Sequence, residues 1–440
     1  MSIELLTLIL FAAVFLLLFT GLPIAFSLGA VSVIFAIALW GTGHLSIIAS
    51  AAYSSLTNMN LLAIPLFMFL GWMFSGSGIG DDLFETVYVW LGRVRGGLAM
   101  GCLVISTILG AIVGDLTSCM VILATTALPA MLKRGYDRSL VIGTVIVGGL
   151  LGEIVPPSIE TIVYCTAVGQ SVGKMYLALF FPSLLMAALY ILYIWIRCRL
   201  NPKLGPPAYP EKRIDWSVRF NSLKSVALPL LLIFLIMGGI YGGIMSPLEA
   251  ASVGAVGAIL IAAIYHRLNW QTLKHAVYNT AYICGFLAFL LMAVGCFTSV
   301  YEGIGAPDLA LKVASALPGG RWSAVILTEL VLIGLGMVLD DWAIILIFGP
   351  VFAFVIKALG FSTLWYGALF LINMQIALLS PPYGFALFLM RGVAPKEYNI
   401  TMLDIYRSII PFAAVTVFSL ILIMIFPFLT NFLPNLIIGR

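Results

Sequence analysis

Two aspartates stand in strongly apolar sequence, Asp115 in Gly110-Ala-Ile-Val-Gly-Asp-Leu-Thr-Ser118 and Asp340 in Gly334-Leu-Gly-Met-Val-Leu-Asp-Asp341. A carboxylate in apolar surroundings is costly unless it is paired, hydrated or bound to a cation. Such residues mark a wet site, a proton site or a cation ligand. The competing reading is a helix end near a membrane interface, and it is stronger for Asp341, where a second acid follows. Two proline doublets, Pro156-Pro157 and Pro381-Pro382, bring a second chemistry. Proline lacks a backbone N–H and disfavours helix in the residue before it. A doublet in an apolar run therefore ends one helix, whose free carbonyls suit Na+, and starts another, whose N-terminus suits an anion. The competing reading is a pair of structural kinks. Ser158 follows the first doublet as a candidate helix cap; Ser380 precedes the second, and Tyr383-Gly384 follow it. A third polar group, Ser54-Ser-Leu-Thr-Asn-Met-Asn60, opens the apolar run beginning at Leu61. Read as the tip of a re-entrant hairpin, it offers Asn58 and Asn60 to a site; read otherwise, it is an interfacial loop with helix caps. Glu153, three residues before Pro156, either touches the break or faces a neighbouring helix.

These features recur at one spacing. The doublets are 225 residues apart (381 − 156), and so are the aspartates (340 − 115). The same offset places Gly78-Ile-Gly80 on Gly303-Ile-Gly305, Ser27-Leu-Gly-Ala-Val31 on Ser252-Val-Gly-Ala-Val256, Gly135 on Gly360, and Tyr53 on Tyr278, so that the polar stretch ending at Asn60 is matched by one opening with Tyr278-Asn-Thr-Ala-Tyr282, which holds Thr280. Matches of Ala or Leu carry no weight in so apolar a chain; Asp, Gly-x-Gly and Pro-Pro do. The chain thus reads as two repeats, for which an inverted pair is the usual transporter arrangement. The basic loops around Arg93-Val-Arg95 and Lys133-Arg134 have almost uncharged counterparts near 318–320 and 358–363. Opposite membrane sides would produce that difference.

Positioning such groups needs many membrane-crossing helices, and the composition supplies them. The chain is 62% hydrophobic and 9% charged, with a mean hydropathy of +1.14. Soluble proteins carry about 25% charged residues. The net charge of +4 is small for 440 residues, and the basic residues sit in loops, so nucleic acid is not expected as a partner. No P-loop signature occurs, which argues against ATP as a ligand. The apolar run from Leu5 lacks a basic flank and a cleavage site and reads as a retained span rather than a signal peptide. The six cysteines contain no Cys-x-x-Cys, and the three histidines do not cluster with them, so no disulfide framework or transition-metal site is indicated. Enzyme readings do poorly. Ile112 stands where an intramembrane Gly-x-Gly-Asp protease needs its first glycine, and there is no His-Glu-x-x-His. Ser246-Pro-Leu-Glu249 has the capping-box spacing, which makes Glu249 structural.

These residues resemble the large membrane subunit of the tripartite ATP-independent periplasmic (TRAP) transporters, the DctM-like family. In the first half the resemblance rests on Leu61-Leu-Ala-Ile-Pro-Leu-Phe67, Leu128-Pro-Ala-Met131 with Arg134-Gly-Tyr-Asp137, and Val155-Pro-Pro-Ser-Ile159. In the second half it rests on Gly242-Gly-Ile-Met-Ser-Pro-Leu-Glu-Ala250, Gly336-Met-Val-Leu-Asp340, Ser380-Pro-Pro-Tyr-Gly384, Arg407-Ser-Ile-Ile-Pro411 and Phe426-Pro427. It implies an elevator-type secondary transporter that takes up a small organic anion, typically a carboxylate, using Na+ as coupling ion and no other cofactor. It also implies two partners, a smaller four-helix membrane subunit, not expected to be fused here, and a periplasmic substrate-binding protein. One departure stands out. The family often carries Ser-Gly-Ser where this chain has Val113-Gly114-Asp115, and Asp where it has Cys119. Asp115 is expected to stand in for the missing hydroxyl or acid.

The expected protein is an all-α polytopic membrane protein of the bacterial inner membrane, built of two repeats with re-entrant hairpins and broken helices. The first repeat covers residues 1–196, a basic cytoplasmic linker 197–225, and the second repeat 226–440. Cation-binding candidates are Gly114, Asp115, Thr117, Leu339, Asp340 and Ser380, with Ser158 assisting. Substrate-binding candidates are Asn58, Asn60, Pro156, Pro157, Ser158, Thr280, Pro381, Pro382 and Tyr383. The alternative is a Na+- or H+-coupled carboxylate transporter or antiporter that works alone; an intramembrane enzyme is a more distant third.

Overall fold

Lipid offers no hydrogen bonds, so an apolar chain satisfies its backbone groups within helices. The computed structural model describes residues 1–207 and 216–437, and every regular element among them is helical. The first half holds α1 (Ile3–Phe19), α2 (Ile24–Trp40), α3 (Leu45–Leu56), α4 (Ala63–Gly76), α5 (Ile79–Leu91), α6 (Gly97–Val113), α7 (Leu116–Thr125), α8 (Ala127–Leu132), α9 (Arg138–Ile154), α10 (Ile159–Val168) and α11 (Val172–Leu200). The second holds α12 (Trp216–Tyr241), α13 (Pro247–Ile264), α14 (Trp270–Gly303), α15 (Ala306–Ser315), α16 (Arg321–Gly336), α17 (Asp341–Ala358), α18 (Thr363–Ala377), α19 (Phe385–Val393), α20 (Met402–Ile425) and α21 (Phe428–Ile437). Six helical segments among the described residues are long and apolar enough to cross a membrane, or eight if two bent helix pairs each count as one span. The chain is a multi-pass membrane protein.

Element boundaries follow the offset seen in the sequence. Adding 225 to the first residue of α9 gives the first residue of α18, and the same step takes the start of α7 to the start of α17. The residues before these helices act alike. Asp137 and Ser362 cap α9 and α18, and Asp115 and Asp340 cap α7 and α17, each accepting a hydrogen bond from a backbone N–H three residues on. Ser246 and Glu249 form the capping box read from sequence. The halves also differ. In the first, α3 and α4 are separate helices joined through the 3-10 turn Met59–Leu62; in the second, α14 runs unbroken through Tyr278–Tyr282. Pro65 sits in the first turn of α4, whereas its counterpart is Leu290, which leaves α14 its hydrogen bonds.

The expected linker is partly helical. Helix α11 continues to Leu200 and α12 begins at Trp216, while Glu211, Lys212, Arg213 and Asp215 lie outside the described residues. The described residues that follow α11 are tied down, because Gly205 and Leu204 accept backbone hydrogen bonds from Gly96 and Asp137 at 2.8 and 2.9 Å.

The molecule is organised around α9 and α18. Every residue of α9 from Leu140 onward and every residue of α18 from Trp365 onward is buried, the pattern of helices surrounded by others. α9 packs on α6, α7 and α20, and α18 on α16, α20 and α11. Contacts also cross between halves, α10 against α17 and α7 against α19. Small residues permit the tightest approaches. A Cβ on Gly336 would lie 2.1 Å from the Ala377 Cβ, so the ends of α16 and α18 are in backbone-level contact.

Candidate functional site

Each half interrupts its helices at two places that meet. In the first half α6 ends at Gly114, whose φ of +63° is the left-handed conformation glycine adopts freely. Its carbonyl accepts the N–H of Ile159, the first residue of α10, at 3.1 Å. A side chain has no room there, because a Cβ on Gly114 would sit 2.4 Å from the Pro157 carbonyl oxygen. The α6–α7 break and the α9–α10 break, where the chain bends by 47°, are therefore one hydrogen-bonded unit. In the second half the Gly336–Ala377 contact joins the corresponding pair of breaks. Each proline doublet contains a cis peptide bond.

Both aspartates turn out to be helix caps. The Asp115 carboxylate accepts the Ser118 N–H at 2.8 Å, and the Asp340 carboxylate accepts the Ala343 N–H at 2.6 Å. Capping is not their whole environment, because both front the same cavity. This cavity has a volume of about 240 Å³ and is lined on its polar side by Asp115, Thr117, Glu153, Asp340 and Asp341. Leu116, Ile283, Phe286, Trp342, Tyr383 and Phe385 form the apolar side. The N-termini of α7, α17 and α19 all open onto it, and such ends favour negative charge. Asp341 is buried within the protein, 5% exposed, and so is Glu153, at 4%. One oxygen of each, Asp341 Oδ2 and Glu153 Oε2, has no hydrogen-bond partner. Among the described residues, none of the side chains lining the cavity is Lys, Arg or His.

The remaining candidates distribute unevenly. Gly114 and Leu339 are buried beside the two caps. Pro156, Pro157 and Ser158 are buried behind Gly114 rather than at the cavity wall. The Ser158 hydroxyl accepts the Thr161 N–H, and its carbonyl accepts the Tyr176 hydroxyl, both at 3.1 Å. Pro381, Pro382 and Tyr383 are exposed, and Tyr383 lines the cavity. The Ser380 hydroxyl donates to the Ile376 carbonyl at 2.8 Å. The two proline breaks therefore present different surfaces, one sealed and one open. Asn58 stands elsewhere, in a second cavity of about 420 Å³ with Ser54, Ser55, Thr166, Thr298 and Glu302. It is placed there because α3 and the Met59–Leu62 turn pack against α14 and α10. Asn60 is exposed and donates its N–H to the Asn58 side chain at 3.0 Å. Thr280 is buried on α14, one turn before Ile283, with its hydroxyl unpartnered.

Of the three positions where the sequence departs from the family pattern, Val113, Asp115 and Cys119, only Asp115 lines the cavity. Cys119 is fully buried against Gly152. Among the described residues no three of His, Cys, Asp and Glu gather closely enough to hold a metal ion. A cation at the caps would need backbone and hydroxyl oxygens as well as carboxylates. Phe286, Trp342 and Phe385 were not legible as site residues, since aromatics are frequent in this chain and carry no spacing signal.

The comparisons with known proteins agree with this architecture. The family model described as "Tripartite ATP-independent periplasmic transporter, DctM component" matches residues 11–429. A C4-dicarboxylate TRAP transporter large permease protein of Vibrio cholerae is 28% identical, over 98% of this chain and 98% of its own length. An ectoine TRAP transporter large permease protein of Halomonas elongata is 27% identical, over 98% of this chain and 99% of its own. Among solved structures, the YdaH transporter of Alcanivorax borkumensis superposes with a TM-score of 0.63 at 14% identity, covering 91% of this chain and 96% of that one. That likeness is one of fold.

Proposed function

The chain belongs to the DctM family of tripartite ATP-independent periplasmic transporters, and on that premise we propose that it imports a small organic anion of the carboxylate class, driven by Na+. It is a large permease subunit and not an enzyme. Its partners in this reading are a small four-helix membrane subunit and a periplasmic binding protein that delivers the substrate, and its place is the bacterial inner membrane. The matching element boundaries support two repeats, 1–196 and 226–440, joined by the 197–225 segment; in this reading the repeats are inverted relative to each other and move as an elevator.

One observation carries the reading: the breaks of both halves converge on one cavity that three helix N-termini face. Na+ binds at the helix interruptions in this reading. Its ligands are the carbonyls of Gly114 and Leu339 with Asp115, Thr117 and Asp340, and Ser380 stands at the edge. The substrate carboxylate meets the N-termini of α17 and α19 beside Tyr383. Ser158 acts by holding α10 against Gly114, since its hydroxyl and carbonyl are already engaged.

Reconstitution with both partners tests this. Uptake of a labelled carboxylate that needs an inward Na+ gradient and the binding protein is the expected result; uptake by this chain alone would favour the stand-alone transporter. Asp115→Asn refines the test. Asn caps a helix about as well as Asp, so the variant keeps the cap and loses the charge. Na+-dependent uptake should then require about tenfold more Na+, read as the Na+ concentration for half-maximal rate. An unchanged Na+ requirement would remove Asp115 from the ion site.

A further inference from the structure

Three basic loops are fastened together at one end of the bundle. The α5–α6 loop carries Arg93 and Arg95, the α8–α9 loop carries Lys133, and the end of α11 with the chain after it carries Arg197, Arg199 and Lys203. All six are exposed. The backbone does the fastening. Gly96 donates its N–H to the Gly205 carbonyl, and Asp137 donates its N–H to the Leu204 carbonyl. A Cβ on Gly96 or on Gly205 would lie 2.8 Å from the Cys198 sulfur, so the first loop rests against α11 itself. Like charges gathered in this way repel one another. The acid within these loops, Asp137, already accepts the Leu140 N–H at 2.9 Å. Among the described residues none of the six cations forms an ion pair. Membrane topology alone asks for basic residues in such loops. It does not ask that the loops be bonded to one another around one helix end.

Helix α11 leads from this end into an apolar stripe. Leu184, Ala188, Leu192, Trp195, Ile196 and Arg199 recur at helical spacing and are exposed, while other faces of the helix pack on α6, α9, α18, α20 and α21. The Arg199 guanidinium lies over the Trp195 ring, 5.1 Å from its centre. An exposed Trp–Arg pair closing an apolar stripe is the pattern of a helix that passes from acyl chains to headgroups. We propose that this end of the bundle binds an anionic phospholipid, with its phosphate among the basic residues of the three loops and its acyl chains along the α11 stripe. The headgroup supplies the negative charge that the loops lack, and the chains match the stripe; a soluble anion would match only the first. The position gives the lipid a hold on the site. Helices α6 and α9 both begin at this end, and both finish, 17 residues on, at the two breaks joined through Gly114.

The test follows thermal unfolding of the permease with its small subunit, delipidated in detergent, as lipid is added back. Phosphatidylglycerol is the anionic probe. Phosphatidylcholine with the same chains is the zwitterionic one, and inorganic phosphate the chain-free one. The expected result is a rise in unfolding temperature with phosphatidylglycerol at concentrations where the other two give none, and a smaller rise in about 0.5 M KCl, where exposed charges are screened. Arg93→Gln with Arg95→Gln, and Arg199→Gln with Lys203→Gln, should each raise the half-maximal lipid concentration about tenfold or more. Lys312→Gln with Lys357→Gln removes two exposed cations outside the three loops and should leave the response unchanged. Arg93→Lys with Arg95→Lys keeps both charges and should keep the response, which separates loss of charge from loss of fold. An equal response to both lipids, a response to phosphate alone, or indifference to both Gln pairs would each overturn the proposal. So would a Gln pair that releases the small subunit and leaves the lipid preference intact, since the patch would then belong to that partner. These readouts need neither a gradient nor the binding protein, so they stand apart from the test of Na+-driven uptake.

Discussion

Gly114→Ala is expected to abolish Na+-driven uptake and to lower the thermal stability of the purified protein. Two costs coincide at this position. The backbone is left-handed, with φ +63°, a conformation that costs a non-glycine residue about 1–3 kcal/mol. The new Cβ would also stand 2.4 Å from the Pro157 carbonyl oxygen, a backbone atom that cannot swing aside. Relief requires the α6–α7 break to part from the α9–α10 break, which disrupts the 3.1 Å bond from Ile159 to Gly114 and moves Asp115 at the cavity. Gly135→Ala separates the two effects. Gly135 has φ +76° with nothing within 4 Å of an added Cβ, so it meets the strain without the collision. It should lose about 1 kcal/mol and keep its uptake. Equal behaviour of the two variants would show that the packing of the breaks does not matter to transport.

This contrast marks what the sequence could reveal. Pro156-Pro157 and Pro381-Pro382 were legible because proline acts through its own missing N–H, whatever surrounds it. The offset of 225 was legible because Asp and Pro-Pro are rare in apolar sequence, and in the structure the same step relates the starts of α17 and α18 to those of α7 and α9. Gly114 could be named but not explained: its role depends on Pro157, 43 residues away (157 − 114), pressing against it. The aspartates show another limit. A local reading sees an acid before a helix and predicts a cap; a functional reading sees a buried charge and predicts a ligand. Asp115 and Asp340 are caps that also border a cavity, and only the packing of α7, α17 and α19 brings them together. Asn58 was grouped with them on polarity alone, and α3 carries it to a different cavity. Glu153 and Asp341 were visible as acids, but nothing in a linear sequence reveals that each lines the cavity and keeps one oxygen unpartnered.

Asn373→Leu should destabilise the protein by about 3 kcal/mol or more, measured by thermal or denaturant unfolding in detergent. The Asn373 side-chain amide, fully buried on α18, donates to both the backbone carbonyl and the carboxyl group of Glu329 on α16, at 2.8 and 2.5 Å. Glu329 is itself 4% exposed. Removing the donor leaves the Glu329 carboxyl group without a partner in apolar surroundings, while the carbonyl, inside α16, stays in the helical ladder. Removing the acid instead, by Glu329→Leu, leaves the neutral amide its bond to the residue-329 carbonyl and should cost less, about 1–3 kcal/mol. The double variant strands little, so it should recover most of the loss, and the cycle should give a coupling of more than about 1 kcal/mol. The native pair is not fully satisfied either, since Glu329 Oε1 and Asn373 Oδ1 have no partner. A double variant as stable as the native protein would therefore mean that the pair is kept for position rather than stability. That position matters because α16 and α18 lead directly from this pair to Asp340 and to the Pro381-Pro382 break. A shifted Na+ requirement in the otherwise stable double variant would place the pair in the geometry of the site. An unchanged requirement would confine it to the packing of the two helices.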